Sequence, residues 1–167
     1  MGFFGSGAFE MTLVKTPLEI GIEVPEYVPL PANLPLAHYA RVGQILHLSG
    51  HIPDSPGQPE LRGRLGAELS VEDGRAAARR VALNLLSTLT HAAGDLDGVA
   101  RIVKLVGFVA SEDTFVDQPA VINAASEIFV ALWGRNGLHA RSAVGVAQLP
   151  FGVPVEIELI VELEAGR

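Results

Sequence analysis

The feature that most limits how this chain can fold is the alternation VEIELIVELE at residues 155–164. Val155, Ile157, Leu159, Val161 and Leu163 fall on one side of an extended chain, with Glu156, Glu158, Ile160, Glu162 and Glu164 on the other. A two-residue repeat of this kind belongs to a strand with one face in a core and the other left open. Just upstream, Arg141, Ala143, Gly145 and Ala147 alternate with Ser142, Val144, Val146 and Gln148. One face of this second strand is therefore a single guanidinium followed by a floor of small side chains, which admits a ligand or another backbone. Residues Leu149 to Pro154 turn the chain back, so the two strands are expected to run antiparallel as a closely joined pair. Arg141, at the head of the first, is the candidate anion anchor.

The rest of the chain supplies what must cover those strands. Residues 44–52, QILHLSGHI, read as a strand with Leu46, Leu48, Gly50 and Ile52 on one face and His47, Ser49 and His51 on the other. Arg62 to Leu65 is expected to add a short strand. Ser70 is a suitable N-cap for a long helix reaching Ala93 and closed by Gly94. Its apolar stripe is Ala77, Val81, Leu85, Leu89 and Ala92. Residues 99–110, VARIVKLVGFVA, are apolar on both faces apart from Lys104, as suits a central strand. Asp117 is the expected cap of a second helix, with Pro119 tolerated in its first turn. Ile122, Ala125, Phe129, Leu132 and Trp133 form its stripe, and Gly134 and Gly137 end it. Right-handed strand–helix–strand crossovers put both helices on one side of the sheet. The expected fold class is thus α+β, a mixed sheet with two helices on one face.

Ahead of this unit, residues 1–14 read as a tail, with Met11 a candidate start. Residues 15–37 are a proline-punctuated lead running extended over the surface, with a short helix at 17–22 capped by Thr16. The globular unit is expected over 38–165. An apolar fraction of 49% is high for so small a monomer. No apolar run approaches the ~20 residues of a membrane helix, so the excess points to a subunit interface, as does a sheet face left without helices. With no cysteine there is no disulfide or thiolate chemistry, which fits a reducing cytoplasm. A net charge of −7 argues against nucleic acid as a partner. Arg75, Arg79 and Arg80 lie at helical spacing and read as a solvated face. His47 and His51 share a strand face but sit about 13 Å apart by strand rise, too far to hold a metal together.

Several stretches resemble the RidA/YjgF family of small trimeric proteins, also labelled endoribonuclease L-PSP or translation initiation inhibitor. They are Ser49-Gly50-His51-Ile52-Pro53, similar to the family's SGQIP, Ala140-Arg141-Ser142, and Leu149-Pro150 followed by Val155-Glu156-Ile157-Glu158. The long lead suggests a longer branch of that family. The resemblance implies a chorismate-mutase-like fold and a homotrimer with a barrel-like core. It also implies a ligand cleft at each subunit boundary, and hydrolysis of enamines and imines such as 2-aminoacrylate to 2-oxo acids and ammonia, with no cofactor and no metal. Carried over by position, Arg141 grips the ligand carboxylate, helped by backbone groups near Ala143. Tyr39, Gly50 and Asn123 line the cleft and Glu156 orients the water. His139 and His51 stand where the family usually has Pro and Gln. His139 shares a face with Arg141 in strand phase, which makes its ring a candidate proton shuttle. Counting residues around the turn puts Arg141 and Glu156 about 20 Å apart, so the site is expected to pair Arg141 of one chain with Glu156 and Tyr39 of its neighbour. The alternative from a different class is a non-catalytic trimer that binds a small carboxylate metabolite.

Overall fold

The computed structural model describes residues 13–57 and 60–166; most of the tail expected at 1–14 lies outside the described residues. Seven main elements follow in order: β1 (Tyr39–Val42), β2 (Ile45–His51), α1 (Val71–Ala93), β3 (Val99–Ala110), α2 (Gln118–Trp133), β4 (Ala140–Val146) and β5 (Val155–Leu163). β1 and β2 form a hairpin across Gly43, whose φ of 61° supplies the left-handed turn that only glycine adopts freely. Ser70 caps α1 with a reciprocal box: its hydroxyl accepts from the Asp73 N–H and the Asp73 carboxylate accepts from the Ser70 N–H. Asp117 stands at the N-cap position of α2 but makes no capping hydrogen bond, contrary to expectation. Pro119 starts that helix with a φ already set for it.

The five strands make one mixed sheet in the order β1-β2-β5-β3-β4. The two C-terminal strands do run in opposite directions, yet they do not pair. β3 lies between them, parallel to β4 and antiparallel to β5. β3, at 12 residues the longest strand, hydrogen-bonds along both of its edges and so takes the central place between β4 and β5. Arg62 to Leu65 forms no strand either; Leu65 makes only isolated bridges, to Leu69 and Ser111.

Both helices pack on one face of the sheet. The alternate residues Val155, Ile157, Leu159, Val161 and Leu163 are all buried beneath them, with Ile102, Leu105 and Val109 beside them. Arg75 ties the two helices together, donating to the Ala120 carbonyl (2.8 Å) and to Glu127 (3.2 Å). The lead adds Ile22 to this core, with Leu13, Ile20 and Val24 against it. No helix among the described residues covers the other sheet face, where Lys104, Val106, Phe108, Glu158 and Ile160 stand half-buried or exposed.

One irregularity changes the expected pattern. The β2–β5 register shifts between Leu48 and His51, a bulge that moves later side chains to the opposite face. His51 therefore joins Leu46 and Leu48 in the core, only 8% exposed, instead of sharing a face with His47. Its Nδ1–H donates to the Ser49 carbonyl and its Nε2 accepts from the Thr88 hydroxyl, each at 2.8 Å. Gly50 turns to the open face in its place.

Candidate functional site

Arg141 lies on the outer strand of the sheet, with its side chain under the helix layer. α2 runs over this strand and lends two acceptors. The Arg141 Nη1 donates to Asn123 Oδ1 (2.8 Å) and to Ser126 Oγ (3.2 Å). No carboxylate among the described residues pairs with it. Two neutral acceptors thus take up one nitrogen and leave the charge uncompensated. The Nε and Nη2 edge has no partner among the described residues, and this edge is the fork that matches a carboxylate with two parallel hydrogen bonds. Because Asn123 Oδ1 faces the guanidinium, its amide nitrogen is left as a further donor beside the fork.

The small floor beyond Arg141 has a double use. A Cβ at Gly145 would come within 2.7 Å of Gln118 Nε2 and 3.0 Å of Ser111 Oγ. There the missing side chain lets the start of α2 settle onto the strand, which is packing against another element and not room for a ligand. Ala143, half-buried, lies nearer the arginine and is the part of the floor adjacent to it.

The His139 ring is held by Gly137 and Ser126. Its Nδ1–H donates to the Gly137 carbonyl (2.7 Å), and Nε2 meets the Ser126 hydroxyl at 3.0 Å. Phe129 contacts the ring edge-on, with centroids 6.2 Å apart. Both ring nitrogens are taken up inside the chain, which runs against the shuttle expectation: neither faces the Arg141 fork. Burial lowers the His139 pKa most, the Gly137 hydrogen bond opposes this, and the Arg141 charge lowers it further. Ser126 went unnoticed in the sequence because nothing but its three-residue spacing from Asn123 on one helix face marks it.

The other expected groups lie elsewhere. Glu156, on β5, points to the open face between the buried Val155 and Ile157. It fills the space over Gly50, where a Cβ would collide with its carboxylate. Burial, and then the nearby Glu158, raise its pKa above the ordinary carboxylate value. Arg141 is level with Leu159, three residues and two strands from Glu156. That is about 14 Å between backbones at ordinary strand spacings, less than the 20 Å expected, with the two side chains on opposite faces. Tyr39 lies on the edge strand β1, four strand spacings from Arg141, or about 19 Å. A concavity of ≈ 420 Å³ on the open face is lined by His47, Lys104, Val106 and Glu158 among others, and includes neither Arg141 nor Glu156. Among the described residues no group of His, Asp and Glu is arranged to hold a metal, and no helix is long and apolar enough to cross a membrane.

Two helices on one face of a five-stranded mixed sheet, with an edge-strand arginine held by the second helix, define a two-layer α+β protein of the chorismate-mutase-like kind. Residues 15–163 match the family described as "YjgF/chorismate mutase-like, putative endoribonuclease". The chain belongs to that YjgF family. It is 44% identical to protein TCP17 of Trypanosoma cruzi over 145 residues, 86% of this chain and 89% of that protein. Among solved structures, protein Atu1372 of Agrobacterium tumefaciens superposes with a TM-score of 0.80 at 38% identity, covering 88% of this chain and 89% of that one. RidA from an Antarctic Psychrobacter gives 0.55 at 29% identity, covering 80% and 92%.

Proposed function

We propose that this protein is an enamine/imine deaminase that hydrolyses 2-aminoacrylate-type intermediates to 2-oxo acids and ammonia, at clefts formed between the subunits of a homotrimer. The observation that carries this reading is Arg141, whose charge has no counter-ion and whose Nε and Nη2 edge has no partner among the described residues, while Nη1 is held by Asn123 and Ser126. A half-buried cation with an open bidentate edge is suited to a small carboxylate and gains strength from the lack of an internal counter-ion. The open sheet face, with Val106, Phe108 and Ile160 unprotected by helices, is the surface that subunits would share.

In that assembly the carboxylate of the substrate sits in the Arg141 fork of one chain. Glu156 and Tyr39 come from the neighbour, since no single chain brings them to the guanidinium. The enamine tautomerises to the imine, which is already electrophilic, so positioning supplies most of the acceleration. Water adds to the imine carbon, giving one proton to Glu156, and that proton passes to the nitrogen. The resulting carbinolamine hydroxyl then gives up its proton, through Glu156, to the amino nitrogen; the C–N bond breaks as the C=O bond forms, ammonia leaves, and the 2-oxo acid remains. A carboxyl pKa raised above the ordinary value by burial and by the nearby Glu158 makes Glu156 a stronger base than an ordinary carboxylate.

The test is ammonia release from enzymatically generated 2-aminoacrylate, with Arg141→Ala and Glu156→Gln as controls. Release by the wild type that both substitutions abolish supports the reading. No release from the wild type, together with tight binding of a 2-oxo acid, would replace it with a non-catalytic carboxylate-binding role.

A further inference from the structure

We propose that Ser126 and His139 are positioning residues that act as a relay, His139 through Ser126 and Ser126 on Arg141, to keep the guanidinium turned with its carboxylate-matching edge outward. The proposal rests on the reading of Arg141 as an anion anchor and deepens it.

The hydrogen positions along this line are fixed by chemistry. The Gly137 carbonyl can only accept, so the His139 Nδ1 carries a proton and donates it (2.7 Å). In a neutral ring Nε2 must then accept, and the hydroxyl it faces, 3.0 Å away, is that of Ser126. With its proton committed to the ring, Ser126 Oγ offers only lone pairs in other directions. One of these receives Arg141 Nη1 at 3.2 Å. Without His139 the hydroxyl could rotate and present its proton toward the cation, which would repel where it now attracts. Burial keeps the ring neutral near pH 7 and the relay in this polarity. Phe129, edge-on to the imidazole, limits how far the ring can tilt.

The arrangement also decides which edge of the guanidinium is presented. Asn123 and Ser126 lie three residues apart on α2 and so share a helix face. Their oxygens take both hydrogens of Nη1. With Nη1 fully used, the planar group cannot turn about its Cζ–Nε axis without breaking two hydrogen bonds. The edge left over is therefore always Nε with Nη2.

Rotation of the guanidinium can be measured directly on the full chain by nitrogen-15 NMR of arginine side chains, with the Arg141 signals assigned from their loss in Arg141→Lys. The expected wild-type result is slow exchange between distinct Nη1 and Nη2 signals. In Ser126→Ala the exchange is expected to quicken by about tenfold, the value of one modest hydrogen bond to a charged group. Ser126→Thr, which keeps the hydroxyl, is expected to retain the slow rate. His139→Phe keeps a ring against Phe129 but offers no acceptor, and is expected to quicken exchange. The double variant Ser126→Ala/His139→Phe should be no faster than Ser126→Ala alone, because the histidine has no other route to the arginine. Affinity for 2-oxobutyrate, read by calorimetry, should weaken in the same rank order. Unchanged exchange in Ser126→Ala, or effects of the two substitutions that multiply, would overturn the relay. If the wild type fails to bind 2-oxobutyrate, the anchor reading is what fails, and the exchange rates still judge the relay by themselves.

Discussion

Mixing two inactive variants should restore activity, and the amount follows from where the chain places its groups. Arg141 and Glu156 are two strands apart and on opposite faces of one sheet, so a site that uses both must take them from different chains. Under the proposed mechanism Arg141→Ala removes the anion anchor and Glu156→Gln removes the base, and each variant by itself is expected to lose ammonia release. In a trimer, each boundary pairs the Arg141 side of one subunit with the Glu156 side of the next. After subunit exchange in a 1:1 mixture, a boundary works only when a Glu156→Gln chain supplies its intact arginine and an Arg141→Ala chain supplies its intact glutamate. The two independent halves multiply to about one quarter of wild-type sites. The assay is ammonia release from 2-aminoacrylate before and after mild denaturation and refolding of the mixture, with mass spectrometry reporting mixed trimers. Mixed trimers that stay inactive would refute the two-chain site, as would either variant retaining full activity by itself.

Arg141→Lys keeps the charge but gives up the planar fork, and should weaken 2-oxobutyrate binding by about 10- to 100-fold, the loss of one charge-assisted hydrogen bond; a lysine variant that binds like wild type would contradict the bidentate argument. Melting temperature should fall only modestly in Arg141→Ala, because the two hydrogen bonds to Asn123 and Ser126 are lost but no ion pair among the described residues is. Burial pushes the His51 pKa down from the ordinary 6.5 to about 4, opposed by the Ser49 hydrogen bond. The unfolded chain therefore binds this proton first, and stability should fall as pH drops from about 6.5 to about 4, by roughly 3 kcal/mol. Chemical denaturation across that range should show a shallower slope for His51→Gln, with some slope remaining because His38 and His139 are shifted the same way. Gly50→Ala drives a Cβ into the Glu156 carboxylate, the far end of a flexible side chain that can swing aside on the open face, and should cost less than about 1 kcal/mol. The double variant Gly50→Ala/Glu156→Ala should regain most of that in denaturant titration, and failure to do so would mean that the crowding lies elsewhere.

What was legible in the sequence was whatever depends on neighbours along the chain. The alternation from Val155 to Leu163 is a strand burying one face, because successive side chains of an extended backbone must point opposite ways. The α1 stripe and its Ser70 cap, the α2 stripe, and the placement of both helices on one sheet face follow from similarly local rules. The family was legible for a related reason: short motifs such as Ala140-Arg141-Ser142 are contiguous residues.

The tertiary structure alone decided which elements meet. A short turn between β4 and β5 invited a hairpin, yet the long β3 lies between them, hydrogen-bonded along both of its edges. One extra residue in β2 exchanged the faces of Gly50 and His51, an event that strict alternation cannot anticipate. It placed a histidine in the core and cleared space for Glu156. The Arg141 surroundings show the same limit. Arginine was conspicuous at the head of its strand, but Ser126 and the orientation of His139 acquired meaning only when α2 settled across β4. Periodicity fixes the direction in which a side chain points; only packing over long sequence separations fixes what it finds there.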